Sequence, residues 1–442
     1  MTEPGWVEHA IWWHVFPLGF VGAEKTALAP GDHAVHRLPM IANWLDYVLE
    51  LGASGLLLGP IFESGSHGYD TVDFLRIDRR LGDEEDFVAL TAGAHERGIR
   101  VMLDGVFNHV GRDFPMFQRA LQDGPGSAAA EWFRIYWPAS VGQEPEYEHF
   151  EGHRQLVTLD HGNPAVVDFV VEVMCHWLDR GADAWRLDAA YAVPATFWAQ
   201  VLPRVRERHP QAYFVGEVIH GDYAAYVAES GIDSVTQYEL WKAIWSSVND
   251  RNLFELDWTL GRNNALLEDF APLTFLGNHD VTRIASKLVD DRHLAHAAVL
   301  LMTLGGTPCI YAGDEQGYRA VKEEREGGDD AVRPAFPATP DELSDLGQSV
   351  HSLFRELIAL RRRHPWLHRA RSRVLHLANE QLVYACEAGG DSMVVALSLS
   401  DDVATVPATG ALTVIAGAGQ LADAGADATL ALPAHGWAVL AT

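Results

Sequence analysis

The stretch GADAWRLDAAY, Gly181 to Tyr191, decides how this chain is read. It follows the amphipathic run PAVVDFVVEVMCHWLDRG and precedes TFWAQVLPRVRERH, so a short apolar segment lies between two helix-patterned ones. Alternate residues of a strand share a face, which puts Arg186 and Asp188 side by side at the end of that apolar run. A strand destined only for a hydrophobic interior has no use for a cation and a carboxylate there.

The same alternation extends outward in both directions. AIWWHVF, GLLLG and IRVMLDGVF precede it; AYFVGEVI, PLTFLGNHD and TPCIYAGDE follow; helix-patterned runs such as MIANWLDYVLEL, RHLAHAAVLLMTLG and GQSVHSLFRELIALRRRH separate them. Near-continuous apolar strands belong to a parallel sheet covered on both faces. About eight strand–helix units over roughly 350 residues predict an α/β chain built on a (β/α)8 TIM barrel.

Two interruptions set the expected domains. Between the third strand and the helix starting near Pro164 lie about 55 residues rich in aromatics, too long for a structureless loop. They are read as a short inserted subdomain over 110–163, with the barrel taking 1–109 and 164–370. After about Arg371 the pattern changes to alternation of period two (RVLHLA, LVYACE, MVVALSLS, ATLALPAHGWAVLAT). That predicts a C-terminal antiparallel β domain over 371–442. The charge run KEEREGGDD, Lys322 to Asp330, reads as a solvated loop after the eighth strand, with a substrate lid as the alternative.

Composition narrows the function. The 442 residues are 48% hydrophobic, enough for a large core, and carry a formal charge of −28. Such a surface repels nucleic acid and anionic membrane, leaving neutral or cationic small molecules as partners. Cys175, Cys309 and Cys386 are far apart in apolar contexts, so neither a disulfide framework nor a thiolate metal site is expected. MTEPGWVEHAIWWHVFP lacks a signal-peptide pattern, and no apolar run of about 18 residues stands in the chain. A cytoplasmic location is therefore expected, and a homodimer is compatible with it.

In a barrel the working residues stand at the C-terminal strand ends. Those ends read DGVFNH (Asp104, Asn108, His109), RLD (Arg186, Asp188), GE (Gly216, Glu217) and GNHD (Asn278, His279, Asp280), with SHGYD (His67, Tyr69, Asp70) after strand two. Asp188, Glu217 and Asp280 thus converge on one pocket. Two carboxyl groups flanking a bond are what glycoside hydrolysis needs, one ionised to attack and one protonated to release the leaving oxygen. Crowded negative charge raises the acid's pKa, and Arg186 is expected to keep Asp188 ionised and oriented. Trp132, Trp137, Tyr238 and Trp241 offer stacking surfaces, with ordinary packing as their other reading.

Taken together, DGVFNH, WRLDAA, GEVI and FLGNHD resemble, in order, the four main signature regions of the α-amylase family, glycoside hydrolase family 13. GASGLLLGPIFES, GTPCIYAGDEQG and LVTLD are similar to three further motifs of that family. The resemblance implies that Asp188 is the nucleophile, Glu217 the general acid/base and Asp280 the transition-state stabiliser, in a retaining mechanism. It also implies that His109 and His279 bond sugar hydroxyls, Arg186 orients Asp188, and Tyr69 stacks on the ring. Asp70 and Arg283 are implied as a pair gripping the far side of the sugar, with His67 beside them in the substrate site.

Departures from the family pattern carry information as well. Asn108 matches one ligand of a calcium site found in many members and is the single metal candidate here. Thr158 stands where calcium-binding forms use a carboxylate, and Tyr191-Ala192 replaces their Lys-His. A hard cation needs several oxygen ligands, so no metal and no other cofactor is expected. GEVIH resembles the form found in intracellular maltodextrin enzymes. Cyclomaltodextrinases and neopullulanases usually carry a leading β domain that is not expected here, while a hydrolase of the cyclic maltosyl-maltose kind is consistent with the sequence. The expected activity is hydrolysis of α-1,4 bonds, with α-1,6 bonds as an extension, in short linear or cyclic maltooligosaccharides. The alternatives are a transglycosylase or isomerase such as a trehalose synthase, an α-glucosidase, and a sugar-binding barrel without catalysis.

Overall fold

A computed structural model describes residues 3–138, 143–325, 327–408, 413–422 and 428–442. Residue 326, in the charge run after the eighth strand, lies outside the described residues.

Eight parallel strands make the central wall. They are β1 (Trp12–Val15), β2 (Gly55–Leu58), β3 (Arg100–Gly105), β4 (Ala184–Leu187), β5 (Tyr213–Gly216), β6 (Ser234–Val235), β7 (Leu273–Phe275) and β8 (Thr307–Tyr311). Hydrogen bonding runs in the order β6-β5-β4-β3-β2-β1-β8-β7. A single parallel bridge between Thr236 and Leu273 joins the two ends of that sheet and closes the barrel.

The strands show why their apolar runs are continuous. Trp12, Leu57, Met102, Ala184, Tyr213, Val215, Phe275 and Cys309 pack together inside the barrel. Their alternates Trp13, Leu56, Leu103, Trp185, Phe214 and Ile310 belong to the larger cluster between strands and helices. Both faces are thus buried, as a parallel wall requires. In β4 this period places Ala184, Arg186 and Asp188 on the inner side and Trp185 and Leu187 on the outer. Local signals start the helices: Asp83 and Asp86 form a capping box for Glu84–Glu96, and Asn163 caps Pro164–Leu178, whose first residue is proline.

The insertion after β3 returns to its own root, because His109–Gly111 pairs antiparallel with Leu156–Thr158. At the other end of the chain, Arg371–Leu377, Gln381–Ala388, Asp391–Ser398, Trp437–Ala441 and Thr413–Gly417 form an antiparallel five-stranded sheet in that order. Among the described residues no helix is long and apolar enough to cross a membrane.

Candidate active site

At the C-terminal mouth of the barrel one guanidinium gathers three carboxyl groups. Arg186, 4% exposed, sets Nη1 2.6 Å from both oxygens of Asp104 and 3.4 Å from Asp188 Oδ1, and Nη2 2.8 Å from Glu217 Oε1. Asp104 is the last residue but one of β3, Asp188 follows β4 and Glu217 follows β5. The backbone N–H of Ala189 donates to Glu217 Oε2 at 3.0 Å, from a residue held at φ 44°. Tyr238, just past β6, donates its hydroxyl to Glu217 Oε1 at 3.2 Å and accepts from Asn278 Nδ2 at 2.9 Å.

The electrostatics differ from the expectation drawn from the Arg186–Asp188 spacing. Burial, followed by the Glu217 charge, pushes Asp188 well above the usual carboxylate range, and Arg186 does not offset this. Its shortest contacts go to Asp104 and Glu217, leaving Asp188 at the edge of hydrogen-bonding distance.

Asp280 behaves oppositely. Burial acts to raise it, but His279, Arg333 and Arg186 hold it well below the usual range. His279 Nε2 lies 2.9 Å from Asp280 Oδ2, and Arg333 donates to Asp280 Oδ1 at 2.7 Å and to the His279 carbonyl at 2.9 Å. The His279 ring is fully buried, stacked between Phe16 at 5.6 Å and Tyr69 at 5.4 Å. The Tyr69 hydroxyl contacts His279 Nε2 and donates to Asp104 Oδ2 at 3.1 Å. His109 completes this side: Nε2 meets the Tyr69 carbonyl at 3.1 Å, and burial lowers its pKa to about 3, so the ring is neutral.

The structure therefore brings together Asp188, Glu217, Asp280, Arg186, His279, Tyr69 and His109. It does not pair Asp70 with Arg283. Asp70 accepts from the backbone and hydroxyl of Ser66, at 3.1 and 2.8 Å. Arg283, 1% exposed, turns inward to Asp314 Oδ1 at 2.8 Å and to the carbonyls of Ala312 and Val332. An apolar start to the helix Ile284–Lys287 faces the core and takes Arg283 with it. His67 is exposed at the rim, its Nδ1 accepting from the Tyr69 N–H at 3.2 Å.

Arg333 is the cation at the site that sequence reasoning missed. It sits four residues past Asp329, which it also contacts at 3.2 Å, just beyond the charge run that looked solvated. Trp241 and Trp132 are spent on packing, against Phe275 at 6.2 Å and Phe169 at 5.3 Å. The three cysteines are buried and unpaired. At the calcium position, Asn108 is 1% exposed with Nδ2 3.1 Å from His109 Nδ1, and Thr158 pairs with His109 across the hairpin. Neither side chain brings a charged oxygen, so these two places alone leave a hard divalent cation short of the oxygen ligands it needs.

A barrel whose strand ends gather carboxyl groups around one guanidinium has the layout of a glycoside-cleaving enzyme. Residues 31–345 match the family model described as alpha amylase, catalytic domain. The chain belongs to the α-amylase family and is a glycoside hydrolase. It is 30% identical over 433 residues to a cyclomaltodextrinase of Geobacillus thermopakistaniensis, covering 91% of this chain and 71% of that protein. It is also 30% identical over 341 residues to an intracellular maltogenic amylase of Bacillus subtilis, covering 72% of this chain and 57% of that protein. Among solved structures, cyclic α-maltosyl-(1→6)-maltose hydrolase of Arthrobacter globiformis superposes over 100% of both chains, with a TM-score of 0.82 and 26% identity.

Proposed function

We propose that the protein hydrolyses α-1,4-glucosidic bonds of short linear or cyclic maltooligosaccharides with retention of configuration, and that α-1,6 bonds fall within its reach. The observation that carries this reading is the approach of Asp188 and Glu217 to the two ends of one guanidinium, with Asp280 two strands on from Glu217. The shared guanidinium keeps the two carboxyls near one another, as a retaining pair requires.

In this mechanism Asp188 attacks the anomeric carbon while Glu217 gives its proton to the leaving oxygen. Burial favours the neutral form of Asp188 in the free protein, and the attack uses the form with Asp188 ionised and the proton on Glu217. Tyr238 and the Ala189 N–H fix the orientation of Glu217. Asp280, kept anionic by His279 and Arg333, accepts from ring hydroxyls as positive charge develops at C1. His109, Tyr69 and His279 shape the ring pocket, and Arg333 takes the outer place that sequence alone gave to Arg283. Water deprotonated by Glu217 then releases the sugar from Asp188. The cyclic and short oligosaccharides named in the relatives, and the intracellular setting named in one of them, support this substrate class and a cytoplasmic location.

The test is a panel of maltotriose, maltotetraose, cyclodextrin, pullulan, trehalose and sucrose, with proton NMR of the first products. Release of the α-anomer from maltooligosaccharides is expected. Release of the β-anomer overturns retention, and activity confined to trehalose or sucrose overturns the substrate class.

A further inference from the structure

We propose that Asp290, His293 and His435 form a binding site for a divalent transition ion of the zinc type, which pins the C-terminal β domain to the barrel.

The two histidines come from opposite sides of the junction. His293 ends the turn Asp291–His293 that leads into the helix Leu294–Thr303, between β7 and β8. His435 lies in the turn between the strands Thr429–Leu432 and Trp437–Ala441. Separated by 142 residues in the chain, they meet with His293 Nε2 at 2.9 Å from His435 Nδ1. One ring nitrogen of each and a carboxylate oxygen of Asp290 lie within 4.8 Å of one another. Both rings are buried, with 2% of His293 and 5% of the His435 side chain exposed.

The carboxylate behind His435 fixes its tautomer. Asp401 Oδ1 lies 2.8 Å from His435 Nε2. An ionised carboxylate only accepts, so Nε2 carries the proton and Nδ1 turns a lone pair towards His293. A carboxylate bonded to the far nitrogen is the support that metal-binding histidines receive. To bind an ion, His293 moves its own proton to Nδ1 and frees Nε2. Two nitrogens at zinc distance and tetrahedral angle stand about 3.3 Å apart, so the pair opens by only about 0.4 Å. Asp290 accepts from Arg292 through its backbone N–H, Nε and Nη2, which leaves one of about four lone-pair positions for the ion.

The surroundings hold this geometry and tolerate a cation. Among the described residues four non-glycine positions have a left-handed backbone, and two of them, His435 at φ 51° and Arg251 at φ 50°, both bond Asp401. Such conformations persist where their neighbours enforce them. The His296 ring packs edge-on at 5.2 Å from His293, its Nε2 donating to the Ser398 carbonyl at 3.0 Å. Arg292 and Arg251 are offset by Asp290, Asp401 and Glu380, so the fixed charge around the histidines is negative. Two imidazoles and one carboxylate suit zinc rather than calcium or magnesium, with water in the fourth position.

The experiment titrates the chelator-treated full chain with zinc chloride by calorimetry. One ion per chain is expected at a Kd at or below about 10 μM, with a rise in Tm. His293→Ala and His435→Asn, the latter compatible with a left-handed backbone, are expected to weaken binding about a hundredfold and to abolish the rise. Asp401→Asn weakens it about tenfold. His36→Ala, in the exposed group with Asp83 and Asp86, leaves it unchanged. Absence of binding by the wild type, or binding that survives in both histidine variants, overturns the site. Should a variant not fold, cobalt bound to the wild type decides: the intense visible bands of four- or five-coordinate cobalt support the site, and the pale spectrum of six-coordinate cobalt overturns it.

Discussion

At Asp280 an imidazole and a guanidinium meet one carboxylate, and the guanidinium comes from Arg333, 53 residues further along the chain. Replacing Arg333 by Ala removes one of the charges that hold Asp280 down, so its pKa rises towards the ordinary range. The acid limb of the kcat/KM profile follows Asp188, which burial raises, so that limb is expected to stay in place while kcat/KM at pH 7 falls about ten- to a hundredfold through the loosened Asp280. A pH–rate profile checks this, and Arg333→Lys recovers part of it. Asp188→Asn is expected to cost on the order of 10⁴-fold in kcat with the thermal melt unchanged. The two residues contrast in what a sequence can reveal. Asp188 was legible because it ends an apolar run beside a cation. Arg333 was not, because it follows a charge run whose pattern is that of a solvated loop. Arg283 misled because it stands in the same short motif as Asp280, three positions on, whereas its side chain belongs to Asp314.

Elements were legible in proportion to their length. Seven barrel strands announce themselves as apolar runs, but β6 holds only Ser234 and Val235, too short to show any period. The hydrogen bond from Tyr191 to Glu151 was hidden too, since it joins segments 40 residues apart. Packing between neighbouring strands supplies a test. A Cβ on Gly55, in β2, would lie 2.3 Å from Cε3 of Trp12, in β1. Both are inside a close-packed wall, so Gly55→Ala is expected to destabilise by about 1–3 kcal/mol, visible as a lower Tm. An unchanged melt would mean that the wall yields at no cost.

Over the whole molecule, buried acids link stability to pH. Glu315, fully buried after β8 and bonded by the Tyr47 hydroxyl at 2.9 Å, is pushed by burial from 4.5 to about 7. The folded state therefore holds this proton more tightly than the unfolded chain. Its contribution is complete below about pH 4 and is lost as pH rises through about 7, with a ceiling of about 3 kcal/mol. Melts between pH 5 and 8 are expected to fall with pH, and Glu315→Gln to flatten that slope. The barrel's closure has a further consequence. The wall is joined by one bridge, Thr236 to Leu273, and directly above it Asn278 bonds Tyr238, which bonds Glu217. Deuterium should enter the amides of 234–237 sooner than those of β3. Like the narrowest stave of a cask, that stretch yields first, and each loosening takes the proton donor out of aim.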